Sequence, residues 1–240
     1  MKAKEMAEWK DKFPETERQK IVQAAKTSLR KPEGKNALDY LLNVRKFSNE
    51  VIDKFNIGYC PTNINHQVRG RIITPIYDTY GELIVLSTRH LNPTVSQRFM
   101  HESFDKGSYL YGLCYAKKSI QKYNKVIIVE GECDVACYHT FGLDMTIGLC
   151  GSAFTFFQIA LLSRFCKNYY LLFDGDEAGR NSIVRVMRDY EKYNLDAYGL
   201  KFIPVYLPRD VDPDEFLFNE GKENVINKLR TSREDCEFMI

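Results

Sequence analysis

The sequence predicts an α/β fold in which a parallel sheet, with helices on both faces, is preceded by a small, basic, mixed α+β lobe. From residue 126 onward, short apolar runs alternate with stretches of helical periodicity, which is typical of parallel strands joined by helices. Residues 56–125 combine a β-hairpin pattern with interleaved basic and aromatic residues, which indicates a separate lobe. The predicted domains are a helical arm at 1–36, the basic lobe at 37–125 and the parallel-sheet subdomain at 126–240.

The first 55 residues are predicted to be helical. An apolar-periodic run begins at Ala37, and Ser48 has the position of an N-cap before a second short helix. Pro32 and Gly34 interrupt the segment, so residues 1–31 form a candidate arm. Its charges either form the solvated face of a surface helix or contact nucleic acid.

The basic lobe is predicted around one hairpin. Residues 71–77 and 83–88 are rich in Ile, Val and Leu, and they flank a turn at 78–81 that contains Asp and Gly. Basic and aromatic residues then alternate from Arg89 to Tyr115. The lobe is therefore predicted to be a small sheet with a polar, partly aromatic surface.

The second half is predicted to contain four strands, at residues 126–129, 145–149, 169–173 and 202–207. A helix follows the first strand as far as Phe141, and Thr155 with Gln158 forms a capping-box pattern at the start of the next. Ile183, Val186 and Tyr190 supply the stripe of a third helix. A closing helix is predicted at residues 223–229.

The charge of the chain is unevenly distributed. The formal net charge is +2, but residues 1–36 carry +4, residues 37–128 carry +5 and residues 129–240 carry −7. No apolar run is long enough to cross a bilayer, and seven scattered cysteines do not suggest a disulfide framework or a zinc site. A phosphate-binding loop of the ATPase type is absent from the sequence. We therefore look for catalytic residues in the acidic half.

Three acidic clusters each follow a predicted strand. Carboxyl ends of parallel strands meet at one edge of a sheet, where such folds bind their ligands. A single acid after a strand is commonly a turn or helix-cap residue, and Glu132 and Glu177 fit that description equally well. Three clusters at three strand ends favour a shared site. Its candidate residues are Glu130, Asp174, Asp176, Asp212 and Asp214.

Carboxylates gathered in this way predict a metal site. They repel one another unless a cation neutralises them. Oxygen ligands without His or Cys select a hard ion, Mg²⁺ or Mn²⁺, and such ions assist phosphoryl transfer. Gly131 and Gly175 would allow tight turns and a close approach of the backbone to phosphate or metal.

These motifs resemble those of a known family. The strings VEGECDV at 129–135, FDGDEAGR at 173–180 and DPDEF at 212–216 resemble the TOPRIM fold of bacterial and phage DnaG-type primases. RIITPI at 71–76 and KGSYLYGL at 106–113 follow the order of the RNA-polymerase domain of the same primases. The resemblance extends over roughly residues 37–230.

The resemblance implies a DNA-directed RNA polymerase of DNA replication, which makes short RNA primers on single-stranded DNA from ribonucleoside triphosphates. It implies about two Mg²⁺ or Mn²⁺ ions and no zinc in this chain. Glu130, Asp174 and Asp176 would be catalytic and would bind metal, together with Asp134, Asp212 and Asp214. Nucleotide or DNA would be bound by a second set: Arg69, Arg71, Arg89, Arg98, Phe99, His101 and Lys106.

The resemblance also implies partners and a location. A replicative helicase and a separate or removed zinc-binding module are expected partners, and a membrane is not. The expected location is the cytoplasm of a bacterial cell or of a phage-infected host. The sequence fits either a segment of a longer primase or a compact protein.

Two other functions remain open. A TOPRIM-class nuclease would use the same acids to cleave a phosphodiester. A non-catalytic module would only bind single strands or a helicase.

Overall fold

The computed structural model describes residues 15–64, 67–95, 97–151 and 153–238. It divides into two compact units, of which the first extends to Asp105 and the second begins at Lys106. None of the helices in the described ranges combines the length and apolar character needed to span a bilayer. Each unit has its own sheet.

The first unit is an antiparallel sheet with strand order β1-β2-β3-β4 and three short or medium helical segments before it. The helices are α1 (Glu15–Leu29), α2 (Lys35–Asp39, continued by a π-helical turn at Tyr40–Val44) and α3 (Asn49–Lys54). The strands are β1 (Gly58–Tyr59), β2 (Ile72–Tyr77), β3 (Leu83–Arg89) and β4 (Phe99–His101).

Two local predictions for this unit are confirmed by the structure. The Ser48 hydroxyl accepts a hydrogen bond from the backbone N–H of Val51 at 3.2 Å, so Ser48 caps α3. β2 and β3 form the predicted hairpin, and the Asp78 carboxylate accepts hydrogen bonds from the backbone N–H groups of Tyr80 and Glu82 at its turn.

Helix α1 is part of the first unit rather than of a separate arm. Ile21, Val22 and Ala25 pack with Ile73 and Leu86 of the sheet in one apolar cluster. The Arg18 side chain is buried as well, and its Nε donates to Glu102 Oε2 at 2.9 Å. The helix therefore has an apolar face to bury, and the sheet supplies the surface. Residues 1–14 of the predicted arm lie outside the described residues.

The second unit is a five-stranded sheet of order β5-β7-β6-β8-β9, in which only β5 is antiparallel to its neighbour. Its strands are β5 (Leu110–Tyr111), β6 (Lys125–Val129), β7 (Thr146–Leu149), β8 (Asn168–Leu171) and β9 (Lys201–Pro204). Its helices are α4 (Leu113–Tyr123), α5 (Glu132–Thr140), α6 (Phe156–Leu162), α7 (Glu177–Lys192) and α8 (Pro213–Phe238).

The helices of this unit cover both faces of the sheet. α5 packs with α8, where the Tyr138 hydroxyl donates to the Pro213 carbonyl at 3.2 Å. α7 packs on the sheet through Tyr190, which stacks on Phe202 at 5.0 Å between ring centroids. The strand interiors are fully apolar and buried, as expected for strands covered on both sides.

The boundary between the units differs from the predicted one at residue 125. β5 pairs with β7, with Leu110 opposite Leu149, and Ala116 and Ile120 of α4 are fully buried. Residues 106–125 therefore complete the parallel-sheet unit. Their Gly and aromatic pattern looked like that of the preceding lobe because β5 is only two residues long.

The last part of the second unit differs from prediction in two respects. β9 ends at Pro204 rather than at residue 207. The Val205 N–H still donates to the Leu171 carbonyl at 3.0 Å, and the pairing stops there because β8 itself ends at Leu171. The closing helix predicted at residues 223–229 lies in the part of α8 that follows Gly221, and an additional helical segment precedes it from Pro213, with Asp214 and Glu215 in its first turn. Proline at the first helical position followed by acids is a favourable helix start. Gly221, with φ at +82°, interrupts this helix.

Candidate functional site

The predicted acids lie after three neighbouring parallel strands. β6, β8 and β9 are adjacent in the sheet, with Ile128 opposite Leu171 and Leu171 opposite Pro204. Because the strands run in one direction, the segments that follow them leave the same edge of the sheet. These segments carry Glu130, then Asp174 and Asp176, then Asp212 and Asp214.

The acids interact electrostatically. Burial raises the pKa of Asp174 to about 7, and the negative charges of Glu130, Asp212, Asp176 and Asp214 add to that increase. Burial and the charge of Asp176 also raise the pKa of Glu130. The structure therefore brings together five of the six predicted acids, and we call this set the carboxylate cluster: Glu130, Asp174, Asp176, Asp212 and Asp214.

The Asp174–Asp176 turn is held by two glycines. A Cβ on Gly175 would lie 2.1 Å from the Pro208 carbonyl oxygen, and one on Gly179 would lie 2.2 Å from the Asp174 carbonyl oxygen. The Gly175 N–H donates to the Val211 carbonyl at 2.9 Å. Only glycine fits where these backbones approach so closely. The turn after β8 is thereby joined to the loop after β9.

Asp176 and Arg180 complete this junction. Asp176 Oδ1 accepts a hydrogen bond from the Gly179 N–H at 2.8 Å and caps α7. Arg180 donates from Nε to the Gly175 carbonyl at 3.1 Å and from Nη2 to the Leu207 carbonyl at 2.8 Å. One guanidinium group thus holds both acid-bearing loops in place.

Glu130 has features of a ligand-binding carboxylate. Its Oε1 is buried and has no hydrogen-bond partner among the described residues. The backbone N–H of Asp174 and the charge of Arg185 lower its pKa, but burial and Asp176 raise it by more. A buried, unpartnered carboxylate oxygen is costly unless a ligand satisfies it.

The carboxylate cluster fits a hard divalent cation by its chemistry. All of its donors are oxygens, two of its acids have raised pKa values, and one oxygen is buried without a partner. In the described ranges no three His, Cys, Asp or Glu side chains already meet the geometry of a metal site. Rotation of exposed side chains such as Asp176 and Asp212 would be part of binding.

Asp134 has a different position from the other five. It is buried in the first turn of α5, and its Oδ2 accepts a hydrogen bond from the Gly131 N–H at 3.2 Å. That contact fixes the turn after β6, which carries Glu130. Its place in the structure is that of a helix-capping residue behind the carboxylate cluster.

Four of the predicted basic and aromatic residues come together on the sheet of the first unit. Arg89 lies opposite Phe99 in the β3–β4 ladder, and its guanidinium is 4.8 Å from the centroid of the Phe99 ring and 5.2 Å from that of Tyr40. Arg71 Nη1 donates to the Arg98 carbonyl at 3.3 Å, and Arg98 Nε is buried with no hydrogen-bond partner in the described part of the chain. Phe99 itself is exposed.

The other three predicted binding residues are not part of that group. Arg69 is exposed in the loop before β2. His101 is exposed at the end of β4, with its ring edge-on to Phe104. Lys106 belongs to the second unit, where its backbone carbonyl accepts a hydrogen bond from Gln158 Nε2 at 3.1 Å. The sequence predicts Lys106 in the basic lobe, whereas in the structure the second unit begins at this residue.

Three residues near these groups were not predicted. Tyr40 lies against Arg89, Arg180 ties the acid-bearing loops, and Arg185 acts on Glu130. Arg180 lies four residues after Asp176, so its position one turn into the helix was a usable signal. The sequence holds no comparable signal for Tyr40, because the contact joins two distant segments.

Comparison with known proteins agrees with this geometry. A family model described as Toprim-like matches residues 127–217. A DNA primase of Aquifex aeolicus is 35% identical over 174 residues, covering 71% of this chain and 34% of the relative. A solved DnaG catalytic core superposes with a TM-score of 0.80 at 27% identity, covering 89% of this chain and 78% of that one.

A DnaG primase catalytic domain bound to single-stranded DNA superposes with a TM-score of 0.77 at 26% identity, covering 89% of this chain and 79% of that one. The chain spans between 34% and 40% of the length of the first two curated relatives that it matches. The similarity therefore concerns one part of those longer proteins.

Proposed function

The chain is homologous to the catalytic core of DnaG-type DNA primases and has their Toprim-like fold, and from this we propose that it is a primase RNA-polymerase domain. It joins ribonucleoside triphosphates into short RNA primers on a single-stranded DNA template. The observation that carries the proposal is the carboxylate cluster, where Glu130 Oε1 is buried without a hydrogen-bond partner among the described residues and the pKa of Asp174 is raised to about 7.

The cluster holds Mg²⁺ or Mn²⁺, about two ions in the active enzyme. Glu130, Asp174 and Asp176 are the catalytic ligands, and Asp212 and Asp214 bind nearby. When bound, the metal neutralises the crowded carboxylates and lowers the cost of charge on the reacting phosphate. Asp134 supports Glu130 by fixing the turn after β6, and Arg180 keeps the Asp174–Asp176 turn against the loop after β9.

The basic residues of the first unit bind nucleotide or template. Arg71, Arg89 and Arg98 supply positive charge, and exposed Phe99 supplies a ring on which a base can stack. The ring contacts of Arg89 restrict its side chain, so less conformational entropy is lost when it meets phosphate. Arg69 and His101 contribute further contacts from the same unit, and Lys106 contributes from the second.

The partners follow from this role. The template is single-stranded DNA, the ligand that the superposed DnaG catalytic domain carries. A replicative helicase and a zinc-binding module act with the domain.

One assay tests the function. The full chain is incubated with single-stranded DNA, labelled ribonucleotides and Mg²⁺ or Mn²⁺. RNA oligomers that disappear in Glu130→Gln but persist in Glu223→Gln, an exposed acid of α8 used as the control, support the proposal. Shortened DNA without RNA would indicate a nuclease, and DNA binding without either product would indicate a non-catalytic binding module.

A further inference from the structure

Helix α7 carries a stripe of exposed cations that the function above does not use. Arg185, Arg188 and Lys192 follow one another at spacings of three and four residues, so they lie along one side of the helix. All three side chains are exposed. Within the described residues, neither Arg185 nor Arg188 forms an ion pair with a carboxylate. The charge of Arg185 also acts on Glu130, but no ion pair holds either guanidinium group within the described residues.

An exposed aromatic pair lies at the far end of this stripe. Tyr193 follows the last residue of α7, and its ring centroid is 5.9 Å from that of Phe156, with Tyr193 45% and Phe156 60% exposed. Lys192 Nζ lies 4.9 Å from the centroid of the Tyr193 ring. Two adjoining, partly exposed rings beside a cation form a surface suited to stacking.

The helix that carries the stripe begins at the carboxylate cluster. Asp176 is the N-cap of α7, and the charge of Arg185 acts on Glu130. The 16 residues of α7 extend for about 24 Å from that end to Tyr193. The cations and rings occupy the second half of that length, about 12 Å from Arg185 to Tyr193, which is enough for a few nucleotides of a strand.

We propose that this surface, consisting of Arg185, Arg188, Lys192, Tyr193 and Phe156 and here called the α7 strand path, binds a single strand of nucleic acid. The cations contact successive phosphates, and the Tyr193–Phe156 pair stacks with a base. A single strand has both charged phosphates and planar bases. It therefore accounts for the exposed cations and the exposed rings together. The identity of the strand as template or primer rests on the proposed function, but the binding itself does not.

Photo-crosslinking tests the path directly. Oligonucleotides carrying 5-iodouracil, one DNA and one RNA, are irradiated with the full wild-type chain in EDTA, and the linked peptides are identified by mass spectrometry. Crosslinks at Tyr193, Phe156 or the adjoining Phe157 are expected. The DNA and RNA arms show whether the bound strand is of the template or the primer type. Absence of crosslinks at these rings from both oligonucleotides would overturn the proposal.

Binding measurements on variants give a second test. Tyr193→Ala combined with Phe156→Ala should weaken binding of a labelled oligonucleotide about fivefold or more. Arg188→Gln combined with Lys192→Gln should reduce the slope of log affinity against log salt by about 1.4. Because all four side chains are exposed, thermal unfolding should not change, and Tyr193→Phe should retain binding.

A matched control is available at the end of α4. Tyr123 is 50% exposed, and Lys122 and Lys125 lie 5.0 and 5.8 Å from its ring centroid. Tyr123→Ala and Lys122→Gln should leave the affinity unchanged, because this patch is not on α7. Equal losses of affinity in the α7 variants and in the α4 control variants would mean nonspecific attraction and would overturn the proposal. If wild type crosslinks at Tyr193 yet makes no RNA, the proposed function fails and the strand path remains.

Discussion

Asp174 shows how a functional site can reduce the stability of its own fold. Its carboxylate is partly buried among four other acids, so ionisation in the folded chain is opposed and its pKa rises to about 7. In the unfolded chain the pKa of the same group is close to its ordinary value of 3.8. Folding therefore becomes less favourable as pH rises from about 4 to about 7, and the full cost is present above that range. A bound cation would remove this cost.

We predict that Asp174→Asn stabilises the metal-free protein. In EDTA at pH 8, the free energy of unfolding should rise by about 1–2 kcal/mol, a value reduced for solvent screening. The gain should shrink as pH falls toward 4, because Asp174 is then protonated in the folded state and close to half protonated in the unfolded state. Denaturant unfolding measures it, with Glu223→Gln as the control. A constant difference across that pH range would contradict the predicted role of ionisation.

Gly175 should not tolerate a side chain. A Cβ there would lie 2.1 Å from the Pro208 carbonyl oxygen and 2.8 Å from the Val211 carbonyl oxygen. Because both are backbone atoms, the two acid-bearing loops would have to separate. We expect Gly175→Ala to cost about 2 kcal/mol or more and to abolish primer synthesis.

Gly151→Ala is the comparison for that substitution. Its Cβ would come no nearer than 3.4 Å to the Lys106 side chain, so stability and activity should stay close to wild type. Both variants can be followed by thermal unfolding and by the primer assay. Equal stability of the two would show that the loops can adjust.

At the scale of elements, local signals were predicted well and long-range pairing was not. The Ser48 cap, the β2–β3 hairpin and the capping box of Thr155 and Gln158 rest on residues a few positions apart, and the structure has each of them. β5 was missed because two residues carry no periodicity, and its strand character comes from pairing with β7. The helical segment from Pro213 to the break at Gly221 is not predicted, because Asp212-Pro-Asp also fits an acidic cluster after a strand.

The candidate site follows the same division. Acids after strands could be placed at one sheet edge because parallel strands share a direction. The capping contact of Asp134 could not be distinguished from ligation, since the same residue type at the same position serves both. The two-loop contact of Arg180 depends on how the loops after β8 and β9 approach each other, which spacing does not reveal.

Gln158 of α6 provides a further test at the scale of secondary-structure elements. It is fully buried, its Nε2 donates to the carbonyls of Lys106 and Tyr109, and its Oε1 accepts from the Thr155 N–H. Gln158→Ala leaves these groups without partners, so we expect a loss of about 2–4 kcal/mol in the free energy of unfolding. Gln121→Ala, at an exposed position of α4, should change it by less than about 0.5 kcal/mol. Chemical denaturation compares the two.

For the whole molecule, the structural boundary changes the meaning of the charge distribution. Counted at that boundary, residues 1–105 carry 17 basic and 13 acidic residues, and residues 106–240 carry 17 and 19. Because the second unit begins at residue 106, the five lysines between positions 106 and 125 are counted in it. The contrast between a basic and an acidic half becomes +4 against −2. The larger contrast lies within the second unit, between the carboxylate cluster and its cationic helices.

This arrangement predicts a dependence of DNA binding on magnesium. Millimolar Mg²⁺ at constant ionic strength should strengthen binding of single-stranded DNA severalfold, because the cation neutralises the carboxylate cluster that otherwise repels phosphate. Fluorescence anisotropy with matched sodium salt measures the effect. The Glu130→Gln, Asp174→Asn double variant should respond weakly, and a flat response of wild type would refute the idea.

The two outer strands of the second sheet limit how copies of the protein can associate. An unpaired strand edge is a template for pairing with another chain, and its risk grows with its length. β5 offers two residues on one side, and β9 offers four on the other, where Pro204 has no N–H to donate. A second sheet could form few backbone hydrogen bonds at either side. The short outer strands therefore give the second sheet resistance to edge-to-edge aggregation, and one of them, β5, is the strand whose length conceals the domain boundary.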